Sequence, residues 1–279
     1  VSSNLGDPAA ISVVIRAFNS AKTLDQVISR LGPSSQDEVL VIDSGSTDST
    51  VDIAKNLGAR LVPFTETFNY SRALNLGFES SNNAWVLVLS SHCIPMEPEH
   101  LPRMRRVLAG FPSTTALAYF PTLLAPLPAP PQETTRLFTQ REWEKDRMLL
   151  GGNTHALYRV DCWRQHRFDE TLTASEDAEW FLWAMRAGHS AAQCSGPAVL
   201  YRHKANMRRM FSKGLVEARA ARAMLGWGGL NFSQLCHGLG SFSKKALLRQ
   251  IPLRTWLGQS AHQLGAFLGS RGALPPNWR

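Results

Sequence analysis

The feature that most constrains the fold of this chain is a regular alternation of short β-rich runs and helical stretches across roughly its first 90 residues. Ile11 to Ile15, Glu38 to Asp43, Arg60 to Phe64 and Trp85 to Leu89 read as strands. Between them, Ala21 to Leu31, a stretch from the Ser44-Gly45-Ser46-Thr47-Asp48 turn to about Leu57, and Tyr70 to Ser81 read as helices. A β-α-β-α-β-α-β order predicts an α/β fold with a doubly wound, mostly parallel, Rossmann-like sheet. The second half is less regular. Ala116 to Phe120, His155 to Arg159 and Ala198 to His203 read as strands, and Thr134 to Leu150 and Asp177 to Ala187 as helices. Pro121 to Pro131 reads as an extended loop and is the best candidate boundary between two halves, about 10–120 and about 132–205.

Composition sets outer limits. With 279 residues, 44% hydrophobic and 19% charged, the chain can bury a sizeable core, which excludes a disordered, collagen-like or coiled-coil protein. Cys93, Cys162, Cys194 and Cys236 lie far apart with no Cys-x-x-Cys pair. A disulfide framework or cysteine zinc site is therefore not expected, and a reducing, cytoplasmic setting is. No charged-then-apolar leader opens the sequence. The two long uncharged stretches, Val107 to Gln132 with six prolines and Ala223 to Ser243 with five glycines, do not resemble spanning helices. A soluble or peripheral protein is expected.

Charge is unevenly placed. Residues 1–100 hold 6 basic and 11 acidic side chains, residues 101–200 hold 11 and 10, and residues 201–279 hold 13 and 1. The overall +8 thus comes from a C-terminal region of net +12. Between Lys204 and Leu225, apolar Met207, Met210, Phe211, Leu215, Ala218 and Leu225 recur near helical spacing, with basic residues between them. Lys244, Lys245, Arg249 and Arg254 accompany Leu247, Leu248, Ile251, Trp256 and Leu257 in the same way. Such a basic amphipathic helical region, here 206–279, suits an anionic membrane surface through 204–270, and would equally suit packing on the body. The interleaved aromatics of a nucleic-acid platform are missing, so no nucleic-acid partner is expected.

In open α/β sheets, ligands bind beyond the carboxyl ends of the strands. This directs attention to Arg16 to Asn19, Asp43 to Asp48 and Ser90 to Cys93. There is no Gly-x-Gly-x-x-Gly, Walker loop, His-Glu-x-x-His or Gly-x-Ser-x-Gly, which removes dehydrogenase, P-loop, zinc-protease and serine-hydrolase readings. Four segments do carry a pattern: Ile11-Ser12-Val13-Val14-Ile15-Arg16-Ala17-Phe18-Asn19, Val41 to Asp48, Arg72-Ala73-Leu74-Asn75 and Ser175-Glu176-Asp177. In order and content these resemble the successive motifs of glycosyltransferase family 2, over about residues 10–205. The resemblance implies a GT-A fold and inverting transfer of a sugar from a nucleotide-diphosphate sugar (UDP-, dTDP- or GDP-linked) to an acceptor hydroxyl. The acceptor would be a glycan or a lipid-linked molecule, and the setting glycan or polysaccharide biosynthesis, possible also at the inner face of a membrane.

Within that resemblance each residue has a chemical reason and an ordinary alternative. Asp43 at a strand end would accept the N–H of a nucleobase, or else cap the following helix. Asp48 is read as a cap. Ala17 and Asn19 would line the nucleoside pocket. Arg72 would neutralise the diphosphate or hold Asp43, or else form a surface ion pair. Ser90-Ser91-His92 stands where the family usually carries Asp-x-Asp, whose carboxylates hold Mn²⁺ or Mg²⁺. It resembles a subset with Ser-x-His there, so Ser91 and His92 would face the donor. His92, alone or with His203, would hold a divalent metal, or His92 would hydrogen-bond the diphosphate without one. Arg202 and Lys204 could supply fixed positive charge instead.

Glu176-Asp177 is the pair that matters most. Inverting transfer needs a base beside the acceptor hydroxyl, and the resemblance makes Asp177 that base, with Glu176 orienting the acceptor or sharing the role. The alternative is that both acids only cap their helix. Trp180 offers a face for an acceptor sugar, or packs in the core. Gly152, in Gly151-Gly152-Asn153, would allow a close backbone approach to the donor sugar. The competing functional class is a non-catalytic protein that binds nucleotide-sugar or anionic glycan and has a degenerate metal motif.

Overall fold

The computed structural model describes residues 10–125, 133–146, 152–172, 174–202, 207–225, 260–264 and 266–268. The chain forms two compact units, Val1–Arg202 and His203–Arg279. The first unit runs β1 (Ile11–Ala17), α1 (Leu24–Ser29), β2 (Glu38–Asp43), α2 (Thr50–Asn56), β3 (Arg60–Pro63), α3 (Tyr70–Glu79) and β4 (Trp85–Ser90). Then follow β5 (Cys93–Pro95), α4 (His100–Leu108), β6 (Thr115–Tyr119), β7 (Thr122–Leu123), β8 (Thr135–Phe138), α5 (Gln140–Asp146) and β9 (His155–Arg159). It closes with α6 (Val160–Gln165), α7 (Glu176–Arg186), β10 (Ser190–Cys194) and β11 (Val199–Tyr201).

Eight of the described strands form one sheet in the order β3-β2-β1-β4-β9-β6-β10-β8, and β5, β11 and β7 form a second. The alternating first part builds the parallel half: β1 pairs in parallel with β2 and β4, and β2 with β3. β9 enters antiparallel between β4 and β6, which makes the sheet mixed but mostly parallel. Strands contributed before and after residues 126–132 share this sheet, and those seven residues lie outside the described set.

Helices cover both faces, which is why β1 and β4 are buried along nearly their whole length instead of at alternate residues. Ile11, Val13, Ile15 and Ala17 join Leu24, Val27 and Ile28 of α1 in one core cluster. Val14 points the other way, towards α3, where a Cβ on Gly77 would lie 2.5 Å from Val14 Cγ1. Glycine lets this helix sit directly on the strand. Beyond it Phe78, Tyr158, Trp163 and Phe168 pack ring against ring, with Phe78 to Tyr158 at 5.9 Å and Phe78 to Trp163 at 5.2 Å between centroids.

One predicted element is corrected. Thr134 to Leu150 is not a single helix. Thr135–Phe138 is β8, paired antiparallel with β10, and only Gln140–Asp146 is helical, residues 147–150 lying outside the described set. The break falls at Thr139, whose backbone N–H donates to Glu142 Oε2 at 2.8 Å and whose hydroxyl donates to the same oxygen, so that Glu142 caps the start of a helix there. β5, α4, α6 and β10 are additional to the sequence expectation, as is β7, which falls within the stretch Pro121 to Pro131 read as an extended loop.

In the second unit, α8 (Met207–Leu225) carries buried Leu215 and Ala218 and exposed Met207 and Arg208. Glu217 accepts from or pairs with His262 at 2.8 Å. The expected second amphipathic stretch, 244–257, lies outside the described residues. No described helix is long and apolar enough to cross a membrane.

Candidate active site

The loops after β1, β2 and β4 meet at one edge of the sheet. The reason is register: Ala17 stands beside Asp43, and Arg16 beside Ser90. Asp43 is 7% exposed. Its Oδ2 accepts the N–H groups of Gly45 and Ser46 at 3.1 and 3.0 Å, and the Ser46 hydroxyl donates to Oδ1. The carboxylate thus organises the turn that follows its own strand. Asn19 adopts φ 49 and ties the first loop to the second: its N–H donates to Ser46 Oγ at 2.9 Å and its Oδ1 accepts the Thr47 N–H at 2.9 Å. Phe18 between them is 58% exposed. Asp48 caps α2 as expected, accepting the Thr50 N–H at 3.0 Å and the Ala21 N–H at 3.1 Å. The Thr50 hydroxyl bond comes first among the causes that hold its carboxyl below the ordinary range.

Of the Ser90-Ser91-His92 run, Ser91 is buried and its hydroxyl lies 2.7 Å from Ser20 Oγ, while its carbonyl accepts from Thr23 Oγ1 at 2.6 Å. It pins the β4 end to the β1 loop. His92 is half-buried, and its carbonyl accepts the Arg202 N–H at 2.8 Å. The sheet pair Cys93–Tyr201 produces this contact and brings the end of β11 alongside. Burial pushes the Cys93 thiol up to about 12, so it stays protonated and is a poor metal ligand. Among the described residues no group of three or more His, Cys, Asp or Glu could hold a metal ion. Of the side-chain types in the run from Ser90 to Cys93, an imidazole is the one best suited to a late divalent metal. His203 and Lys204 lie outside the described residues.

The acidic pair sits at the start of α7, where the helix N-terminus favours negative charge. Glu176 is buried at 6% exposure and Asp177 is half-buried. Neither is simply a cap. Glu176 Oε1 accepts Asn153 Nδ2 at 3.0 Å and lies 4.0 Å from Arg16 Nη1. Asp177 Oδ2 accepts the Asn153 N–H at 3.3 Å, and its Oδ1 accepts the Ala178 N–H at 2.9 Å. Arg16 Nη2 donates to the Asn153 carbonyl at 2.9 Å, and its guanidinium carbon stands 5.1 Å from the Tyr70 ring centroid. Burial first, and next the charge of Asp177, push the Tyr119 phenol well above its ordinary value. For Tyr158 burial leads, followed by Tyr119 and Asp177.

The sequence places Arg16 among the candidates at the strand ends and Asn153 in the Gly151-Gly152-Asn153 run, but it gives neither a role of its own. The available signal was a charged residue inside an apolar strand and a polar residue just before one. Gly152, at φ 141, precedes Asn153 and sits in the same loop. Two expected residues stand elsewhere. Trp180 is fully buried, donates its Nε1–H to the His166 carbonyl at 2.7 Å and packs edge-on against Tyr158. It is a core residue, with no face free for a sugar. Arg72 pairs with Glu66 at 3.2 Å and Glu170 at 3.3 Å on the surface, the alternative foreseen for it. Asn75, of the same motif, is a fastener: its amide bonds Phe168, Glu170 and Trp163 at 2.9 to 3.1 Å.

Residues 12–126 match the model of Glycosyl transferase family 2. That range takes in Ala17, Asn19, Asp43, Arg72, Ser91 and His92, while Gly152, Glu176, Asp177, Trp180 and His203 follow it. The chain is 35% identical over 95 residues to glycosyltransferase AglE of Haloferax volcanii, 30% of this chain and 31% of that protein. It thus spans about a third of the length of the curated relative it matches.

Whole-fold similarity extends further. The mannosyltransferase PcManGT of Pyrobaculum calidifontis, solved with GDP-Man and Mn²⁺, superposes with a TM-score of 0.64 at 13% identity, covering 97% of this chain and 90% of that one. TarS 1-349 of S. aureus gives 0.57 at 14% identity over 96% and 93%. Glucosyl-3-phosphoglycerate synthase of Mycobacterium tuberculosis gives 0.58 at 18% over 78% and 79%. At these identities the likeness is one of fold, and the fold is the GT-A type of glycosyltransferase.

Proposed function

We propose that this chain is a glycosyltransferase of family 2 that moves a sugar, with inversion, from a nucleotide-diphosphate sugar to an acceptor hydroxyl. The observation that carries this reading is the link from the end of β1 to the acidic pair: Ala17 stands beside Asp43, and its neighbour Arg16 holds the Asn153 carbonyl and lies 4.0 Å from Glu176. PcManGT, with GDP-Man, and TarS 1-349, with UDP, support a nucleotide-linked donor. In this reading residues 10–120 hold the donor and 132–205 the acceptor. Asp43, Ala17 and Asn19 bind the nucleoside, Ser91 and His92 border the diphosphate, and Gly152 lies along the donor sugar.

Asp177 acts as general base. It is the less buried of the two acids; its Oδ1 accepts the Ala178 N–H and its Oδ2 the Asn153 N–H. It takes the acceptor proton as that oxygen attacks the anomeric carbon from the side opposite the departing diphosphate. Glu176, buried against Arg16 and Asn153, orients the acceptor. His92 would be a ligand of a divalent ion, which neutralises the departing diphosphate when bound; the expected partner His203 lies outside the described residues.

The test is a melting-temperature series with UDP, dTDP and GDP, each with Mn²⁺ and with chelator, followed by turnover of the matching sugar donors. A ligand at about 100 times its Kd adds roughly 2.7 kcal/mol, which is readily visible. We expect one nucleotide to stabilise the protein. Asp177→Asn should keep that shift and lose transfer by at least about 100-fold. Normal transfer by the variant would overturn the base assignment. Binding without turnover of any donor would leave the non-catalytic nucleotide-sugar reading in its place.

A further inference from the structure

Two acids adjacent on a helix project about 100° apart, so α7 by itself cannot aim Glu176 and Asp177 at one reacting centre. Asn153, outside the helix, touches both. Asn153 gives its backbone N–H to Asp177 Oδ2 at 3.3 Å and its side-chain Nδ2 to Glu176 Oε1 at 3.0 Å. Its carbonyl accepts Arg16 Nη2 at 2.9 Å, and its Oδ1 accepts the Tyr158 hydroxyl at 2.6 Å. Every polar group of the residue is used, and it is 5% exposed.

The direction of the amide follows from chemistry at both ends. An ionised carboxylate only accepts, so the NH₂ must face Glu176. The buried Tyr158 phenol keeps its proton, so it donates to the amide oxygen. Reversing the amide would set oxygen against the carboxylate and waste the phenol. We propose that Asn153, locked by Tyr158, is the positioning residue of the acidic pair: it holds Glu176 and Asp177 in one mutual geometry that their helix does not supply. Arg16 completes the arrangement by holding the same residue's carbonyl and facing Glu176 with its charge. The consequence for rate rests on the transfer reading above; the hydrogen-bonded lock does not.

Two measurements test this. The first is amide exchange by ¹⁵N NMR of the Asn153 side chain, assigned by its loss in Asn153→Ala. Slow exchange in the wild type that becomes at least about 10-fold faster in Tyr158→Phe is expected for a buried, locked amide. Exchange in the wild type as fast as that of surface amides, or unchanged in Tyr158→Phe, overturns the lock. The second is steady-state kinetics of both variants and their combination. We expect kcat to fall about 30-fold in Asn153→Ala and about 5-fold in Tyr158→Phe, with the donor KM within about 2-fold. The double variant should be no slower than Asn153→Ala alone, since Tyr158 acts through Asn153. Additive losses, or an effect confined to KM, overturn the positioning role. Absence of turnover in the wild type with every donor overturns the transfer reading instead, and amide exchange then decides the lock.

Discussion

Arg16 and Ser90 are register partners across β1 and β4, so a guanidinium stands beside the first residue of the Ser90-Ser91-His92 run. Arg16 Nε and Nη1 are buried without a hydrogen-bond partner, and Glu176, 4.0 Å from Nη1, balances its charge. Removing one member of a buried pair costs about 3 to 5 kcal/mol, because the other charge is left uncompensated. Arg16→Met should therefore destabilise the fold by about 3 kcal/mol and Arg16→Lys by clearly less, read from urea unfolding. Equal losses would mean that the shape of the guanidinium, and not its charge, matters there.

Acid sensitivity should come from a second buried pair. His100 and His155 face each other with 2.9 Å between their Nε2 atoms, both 1% exposed. Burial pushes the His100 imidazole down to about 4. Burial, and then the neighbouring His100, hold His155 well below its ordinary range. Both rings are neutral in the fold, whereas free histidines take up protons below about pH 6.5. The unfolded chain thus gains protons first, and stability falls as pH drops from about 6.5 towards about 4. Melting curves across this range should show a loss of about 3 kcal/mol from His100 alone, and His100→Leu with His155→Phe should flatten it. An equally steep decline in that double variant would place the acid response elsewhere.

Gly77 should tolerate nothing larger. An added Cβ would lie 2.5 Å from Val14 Cγ1, and Val14 is a fully buried, β-branched strand residue that cannot swing aside. Gly77→Ala raises helix propensity by about 1 kcal/mol yet forces α3 off β1, so a net loss of about 1 to 2 kcal/mol is expected. Chemical denaturation would measure it, and a stabilised variant would mean that the helix moves freely on the sheet.

The basic C-terminal region, net +12 over residues 201–279, should associate with anionic vesicles at low salt and release at high salt. Sedimentation with phosphatidylserine-containing liposomes at about 20 and about 500 mM salt reads this out. No binding at low salt would leave packing as the role of its apolar stripe, in keeping with the buried Leu215 and Ala218.

The parallel half of the fold and the loops at its edge were legible in the sequence because both are local. A run such as Ile11 to Ile15 followed by a helix with apolar residues on one face states its own conformation, and a strand end places polar residues such as Asp43 at the ligand edge. Thr134 to Leu150 misled because a strand of four residues, Thr135–Phe138, is decided by its partner β10, not by its own period. The acidic pair could be named from Ser175-Glu176-Asp177, but what it touches could not. Arg16 and Asn153 are 137 residues apart and meet only because β1, β4 and β9 are neighbours in one sheet. Trp180 likewise went to the core because Tyr158 and Phe168 close around it. Sequence determined which residues carry charge and where strands end; tertiary packing decided which of those charges share one buried space.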